Sequence, residues 1–203
     1  MIQPGLPTEP DLPGLFATLK RLCGSDALVL DPTALVAARH DVYATGVQPL
    51  AILALREADT LGPAIAAITA QGLAVVPRGG GLSYTAGYVL PVGQAVLVDL
   101  SRLDRILAID PVNMTVAVEA GATWKAIHAA LAVHDLRLPF FGTFSGAGAT
   151  VGGGLSHGAL FFGSARYGSA ADILLSMDVV LADGSVLSTG QAALRANCHP
   201  VFR

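Results

Sequence analysis

Two glycine-rich stretches, one with a single charge and one with none, carry the residues best suited to chemistry. The first, Val76-Pro77-Arg78-Gly79-Gly80-Gly81-Leu82-Ser83-Tyr84, takes a strand end into three successive glycines and a hydroxyl. Bare backbone approaches a ligand closely and adopts conformations closed to other residues, so consecutive amides can converge on an anion such as a diphosphate. A lone triple glycine describes a surface turn equally well. The stretch is neither of the common nucleotide loops: no Gly-Lys-Ser/Thr occurs, and Gly146-x-Gly148 is followed by Val151 where a third glycine belongs. The second stretch runs from Pro139 to Gly158 through Gly142, Thr143, Gly148, Ala149, Thr150, Val151, Gly152, Gly153, Ser156 and His157, without one formal charge. A long loop lacking secondary structure inside a compact domain is usually functional. Paired, the two stretches imply a long, narrow, largely apolar cleft for an extended cofactor, its phosphates held by amides and hydroxyls.

The remaining candidates carry less. His40, His128, His134, His157 and His199 show no metal-ligand spacing. Cys23 and Cys198 lack a C-x-x-C partner and read as ordinary thiols. His157 lies beside the expected cofactor path, where a contact and a merely structural role weigh equally, while His128 reads as a boundary residue. Asp172 and Asp178 read as cap and turn residues, and Asn113-Met114-Thr115, a formal glycosylation sequon, is given no weight.

The elements that must position these stretches follow from apolar spacing. Leu12 to Leu22 suits a short helix and Ala27 to Leu30 a strand. Leu50 to Leu55, Thr60 to Gln71 and Leu73 to Pro77 read as strand, helix and strand, a βαβ unit with parallel strands and a right-handed crossover. Ala95 to Leu100, Ile106 to Asp110 and Thr115 to Glu119 follow with short turns and read as a largely antiparallel group. Thr123 is an N-cap candidate for a helix bearing Trp124, Ile127 and Leu131 on one face. Ser176 to Leu181 and Ser185 to Thr189 flank Ala182-Asp183-Gly184, a hairpin turn. The expected division is an N-terminal segment 1–45, a small βα subdomain 46–92 and a larger mixed α+β subdomain 93–203, with the boundary near Pro91 to Ala95.

Composition narrows the function class. The 203 residues are 53% hydrophobic and 13% charged, with net charge −3 and 12 scattered basic residues, which removes the clustered basic face of a nucleic-acid binder. A mean hydropathy of +0.60 excludes disorder and raises the question of a membrane span. The uncharged segments Gly79 to Val98 and Leu138 to Ala165 are long enough, but hold five and eight glycines and one proline each, a backbone that lipid cannot satisfy. Met1 to Pro13, with four prolines, two acids and no apolar core, does not read as a signal peptide. The expectation is a cytoplasmic protein without a membrane span or nucleic-acid partner.

Four motifs in order complete the reading: Pro77-Arg78-Gly79-Gly80-Gly81-Leu82-Ser83, Ala149-Thr150-Val151-Gly152-Gly153, Arg166-Tyr167-Gly168, and Val179-Val180-Leu181-Ala182-Asp183-Gly184. Over about Leu50 to Thr189 the chain resembles the FAD-binding domain of FAD-linked oxidases, the vanillyl-alcohol oxidase or PCMH type that includes D-lactate and glycolate dehydrogenases. The resemblance implies an α+β fold of two subdomains with FAD between them. It sets the diphosphate on the amides of Arg78 to Ser83, the ribityl and flavin ring along Gly142 to Gly158, and Tyr167 and Gly168 near the same cofactor. Covalent members attach the flavin through a histidine; with Arg78 in this stretch and no histidine from Val76 to Tyr84, non-covalent FAD is implied.

The resemblance further implies a flavin-dependent oxidoreductase taking a hydride from an alcohol or 2-hydroxy acid, with a small-molecule substrate and an electron acceptor. Its catalytic residues would lie in a C-terminal cap domain or a separate subunit. The alternatives are an FAD-binding module without turnover and a non-redox, alkyl-transferring member. Where the lactate-dehydrogenase-like members carry Thr-Asn-Ala-Gly-Gly, this chain has His157-Gly158-Ala159-Leu160-Phe161, so the substrate stays open. Gly80 and Gly152 are the positions expected to tolerate a side chain least, both at loop or strand ends, where a β-carbon takes the ligand's space and any positive φ adds strain.

Overall fold

A computed structural model describes residues 9–90, 93–139 and 144–190. Its first layer is a four-stranded sheet built from β1 (Leu28–Val29), β2 (Ala51–Ala54), β3 (Ala74–Arg78) and β4 (Ala95–Asp99), in the order β1-β2-β4-β3. The βαβ reading is met in part. α3 (Leu61–Thr69) does connect β2 to β3, but the two strands are not neighbours, because β4 lies between them and pairs parallel with both. Val96 sits opposite Ala51 on one side and Val75 on the other.

This corrects the antiparallel assignment of Ala95 to Leu100. Ala95, Val96, Leu97 and Val98 are all buried, as expected of a central parallel strand covered on both faces. The first sheet therefore continues across the expected boundary at 92/93. The described part of segment 1–45, residues 9–45, does not stand apart either. α1 (Leu12–Cys23) contributes Leu15 and Leu19, and β1 contributes Leu28, to the core formed by Leu53, Ile68, Val96 and Val98. Burying a side chain such as Leu53 or Ile68 stabilises the fold by about 1.5–3 kcal/mol each.

α1 starts where the sequence provides a cap: Asp11 accepts the Gly14 amide at 3.0 Å, with Pro13 in the first turn. Asp31 caps α2 (Pro32–Ala37) in the same way, accepting Ala34 N at 2.8 Å.

The second layer holds the antiparallel pair β5 (Ile106–Asp110) and β6 (Thr115–Val118), then α4 (Trp124–Ala132), α5 (Val151–Ser156), α6 (Ser164–Tyr167) and the hairpin β7 (Asp178–Val180) and β8 (Val186–Ser188). Thr123 caps α4, its hydroxyl accepting Ala126 N at 3.2 Å. Trp124, Ile127 and Leu131 face a second core with Leu138 and Ala170, against which Val151, Leu155 and Phe161 pack. The Trp124 and Phe161 rings meet edge to face at 5.0 Å.

Two of the connections between the layers lie away from the glycine stretches. The hairpin tip rests on α3, where Gly184, at φ +82°, lies against Gly62 and Thr69 donates its hydroxyl to Ala182 O at 2.8 Å. Arg105 forms the other, donating to buried Glu119 from its backbone amide (2.9 Å), Nε (3.1 Å) and Nη2 (2.8 Å), while Nη1 reaches Glu57 at 3.2 Å.

Hydrogen bonds from the Arg105 side chain hold the Glu119 carboxyl below the usual carboxylate range, against an opposing push from burial. Asp110, Asp172 and Asp183 are also held low, first by hydrogen bonds from Asn113, Ser169 and Ser185. A carboxylate depressed in the folded state contributes stability above its unfolded pKa, and that contribution is lost as pH falls through the folded value. The melting temperature should hold near neutrality and fall as pH drops through and below about 4. Glu119→Ala should cost about 1–3 kcal/mol at neutral pH, because the Arg105 amide loses its acceptor, and should flatten the acid limb. An unchanged acid limb in a thermal melt series would remove Glu119 from this account.

Candidate functional site

The first glycine stretch leaves the C-terminal end of β3, where Pro77 and Arg78 pair with Val98 and Asp99. Glycine is required next because the second stretch lies against it. A β-carbon on Gly79 would overlap the Thr150 hydroxyl, and one on Gly80 would overlap the Gly148 carbonyl. Leu82 lies beside Gly148 from the other side. The two stretches, 65 or more residues apart, thus meet along Gly79–Leu82 and Gly148–Thr150.

The amides divide unequally between them. Gly79, Gly80, Gly81, Leu82, Ser83 and Tyr84 donate no backbone amide to any described residue. In the second stretch the amides that open α5 are already used: Val151 N donates to Ala122 O at 2.9 Å, Gly152 N to Ala120 O at 2.8 Å and Gly153 N to the Thr150 hydroxyl at 3.3 Å. The expectation for Gly152 needs correcting accordingly. It lies in the first turn of α5, not at a loop or strand end. Its missing side chain faces Ala120, whose Cβ and carbonyl oxygen are 2.9 and 3.0 Å from where a β-carbon would stand. Neither Gly80 nor Gly152 has positive φ; in the loop that conformation belongs to Gly81, at +71°.

The loop is shaped by Arg78 and Ser83 together with three residues that sequence reasoning passed over, Asp41, Tyr88 and Asp99. Arg78 folds back under Gly81, donates to Asp99 Oδ2 at 2.9 Å and lies 5.3 Å from the centroid of the Tyr88 ring. The Tyr88 hydroxyl donates to Gly81 O at 2.9 Å. Ser83, buried, accepts the Thr85 and Gly87 amides at 3.2 and 2.8 Å. Asp41 ties the preceding segment to this loop, accepting the Tyr43, Ala44 and Ala86 amides at 2.7, 2.6 and 2.8 Å. Burial pushes the Asp41 carboxyl up, but hydrogen bonds from Ala44, Tyr43, Ser83 and Ala86 outweigh it and hold it below the usual carboxylate range. Asp41 offers only a weak local signal, a turn-forming Asp, and the Arg78–Asp99 pair only the register of two strands.

The other expected residues are less closely joined. Thr150 is buried and caps α5, and the Ser156 hydroxyl turns back to Gly152 O at 2.8 Å. His157 ends α5, exposed, with Nε2 3.1 Å from where a β-carbon on Gly87 would stand, so it borders the first loop. Gly158, at φ +59°, faces open space. Tyr167 and Gly168 close α6, and neither shares a hydrogen bond with a glycine stretch. Pro139 is half-buried at the edge of the described residues, while Gly142 and Thr143, like Cys198 and His199, lie outside them. Asp172 forms a capping box with Ser169, and Asp178 bonds Ser188 across the hairpin, the structural roles expected of them. Among the described residues no group of His, Cys, Asp or Glu could hold a metal, and no helix is long and apolar enough to cross a membrane.

A run of unpaired amides around a positive-φ glycine, with a guanidinium beneath it, fits a diphosphate. The chain belongs to the FAD binding domain family, whose model matches residues 49–190. It is 31% identical over 122 residues to the mitochondrial D-lactate dehydrogenase [cytochrome] 1 of Saccharomyces cerevisiae, covering 59% of this chain and 20% of that protein. A D-2-hydroxyglutarate dehydrogenase of Xanthomonas citri is 30% identical over 76% of this chain and 32% of its own length. Glycolate oxidase subunit GlcD of Bacillus subtilis is 28% identical, over 70% and 30%.

Among solved structures, alkyldihydroxyacetonephosphate synthase superimposes with a TM-score of 0.79 at 20% identity, covering 93% of this chain and 36% of that one. Substrate-bound p-cresol methylhydroxylase gives 0.78 at 20%, over 92% and 36%. The fold is that of the PCMH-type FAD-binding domain, and the family's cofactor is FAD. The chain spans about a fifth to a third of the length of the curated relatives it matches.

Proposed function

We propose that this chain is the FAD-binding portion of a flavin-dependent oxidoreductase acting on a small 2-hydroxy acid, held to FAD without a covalent bond. The observation that carries the reading is the run of six amides from Gly79 to Tyr84 that donate to none of the described residues. These would hold the diphosphate, with the Arg78 guanidinium supplying positive charge below. The second stretch, Gly148 to Gly158, would lie along the flavin, where Thr150 fixes α5 and His157 borders the loop; Gly142, Thr143, Tyr167 and Gly168 belong to the same proposed path. When bound, FAD supplies the two-electron chemistry, while the protein supplies binding, orientation and exclusion of water. The 2-hydroxy-acid class is supported by relatives named for D-lactate, D-2-hydroxyglutarate and glycolate.

An electron acceptor and a partner polypeptide complete the proposal. Leu160, Phe162, Leu175, Met177, Val186 and Leu187 are all exposed within 28 residues, apolar side chains that a further polypeptide could cover. The β7–β8 ribbon stands as a two-stranded sheet among the described residues, marginal without a further strand or cover. Such a polypeptide would carry the substrate's acid-base groups.

The test is direct. Purified protein should show a flavin spectrum, and acid precipitation should release all of the cofactor as FAD. Flavin retained on the pellet, or released FMN, would overturn the cofactor assignment. Anaerobic addition of D-lactate, glycolate or D-2-hydroxyglutarate to a sample containing the partner should bleach the flavin. Yellow protein that bleaches with none of them in that sample favours a module without turnover.

A further inference from the structure

We infer that the Arg78 side chain is a positioning residue: clamped by Asp99 and Tyr88, it holds the Gly79–Tyr84 loop in the shape that presents its amides. This rests on the proposed diphosphate role of that loop. The guanidinium is held directly at two points, one of them itself anchored. Nη1 donates to Asp99 Oδ2 at 2.9 Å, Asp99 Oδ1 is itself fixed by Ser101 N at 2.8 Å, and the plane lies 5.3 Å from the Tyr88 ring centroid. The Tyr88 hydroxyl closes the circuit on Gly81 O at 2.9 Å. At Gly81 a β-carbon would overlap the guanidinium, so the positive-φ glycine and the arginine fill one space.

Arg78 Nε is buried and has no hydrogen-bond acceptor among the described residues. An unsatisfied buried donor costs stability, so the placement is not explained by satisfaction of the arginine itself. It is explained by what the arginine does for the loop: six amides that donate to none of the described residues are held in place by a rigid support from beneath. Lysine is a poor substitute, because a compact ammonium on a flexible stem lacks the planar group that meets Asp99, the Tyr88 ring and the space beside Gly81 at once.

The alternative is that Arg78 acts only as a positive charge toward the anion, and Asp99→Asn separates the two. If charge alone matters, removing the neutralising carboxylate leaves an unopposed cation and FAD binds as tightly or more tightly. If the clamp matters, FAD affinity falls about tenfold while riboflavin, which has no diphosphate, binds as in the parent. Arg78→Lys should lose FAD affinity by the same order although it keeps the charge, and Tyr88→Phe, the mildest change, should lose less. Backbone order parameters of residues 79–84, measured without cofactor, give a readout independent of the diphosphate assignment: sheet-like in the parent and lowered in Asp99→Asn. Unchanged order parameters, unchanged or tighter FAD binding by Asp99→Asn, or equal loss of FAD and riboflavin would each overturn the clamp. Lowered order parameters in protein that binds no FAD at all would uphold it and remove only the diphosphate reading.

Discussion

Gly80→Val should abolish FAD binding and leave the fold nearly untouched. A β-carbon at Gly80 has nowhere to go, because the space is filled by the Gly148 carbonyl, a backbone group with no rotamer to change. Valine must therefore push the two glycine stretches apart at their point of contact, displacing the loop whose amides are free. Gly80 is exposed and touches neither apolar core, so far-ultraviolet circular dichroism and the melting temperature should stay near those of the parent. A loss of affinity beyond about a hundredfold, some 2.7 kcal/mol, is expected in a fluorescence titration with FAD. Gly5→Val, in the proline-rich N-terminal segment, should change nothing. If Gly80→Val binds FAD within about threefold of the parent, less than ~0.7 kcal/mol, this loop is not the cofactor site.

That the two stretches come together was legible in the sequence from their shared glycine content and near-absence of charge. What occupies the space beside each glycine was not legible. At Gly80 it is the carbonyl of Gly148 and at Gly152 it is Ala120, both contacts that depend on tertiary folding rather than on neighbours in the chain. Helix α5 was hidden for a related reason: three successive glycines each lower helix propensity by about 1 kcal/mol relative to alanine. The helix forms regardless, since Thr150 caps it and its first amides bond to Ala122 and Ala120.

The misreading of β4 came from weighing short connections above pattern. The run Ala95 to Val98 lacks the polar alternation of a half-exposed antiparallel strand, and that signal was present in the sequence. Asp41, Tyr88 and Asp99 left almost none, since their roles arise from pairs of segments brought together by the sheet.

Gly152→Val should act on stability first and on FAD only as a consequence, and this sets it apart from Gly80→Val. The β-carbon would stand 2.9 Å from Ala120 Cβ and 3.0 Å from its carbonyl oxygen, distances that neither a methyl nor a backbone can relieve by rotation. The Gly152 amide donates to that same carbonyl at 2.8 Å, so moving α5 away also breaks the bond that holds its first turn. Overpacking of this kind costs about 1–3 kcal/mol, and the lost amide acceptor adds to it. The effect should be visible in one place, because Trp124 is the chain's single tryptophan and lies against α5, its ring Cζ2 2.9 Å from where a β-carbon on Gly154 would stand. Displacement of α5 should open the Trp124 environment, shifting its emission to longer wavelength and lowering the melting temperature, with FAD affinity falling in step. Parent-like emission and melting in a variant that has nevertheless lost FAD would show that residue 152 faces the ligand, and that its contact with Ala120 does not decide the outcome.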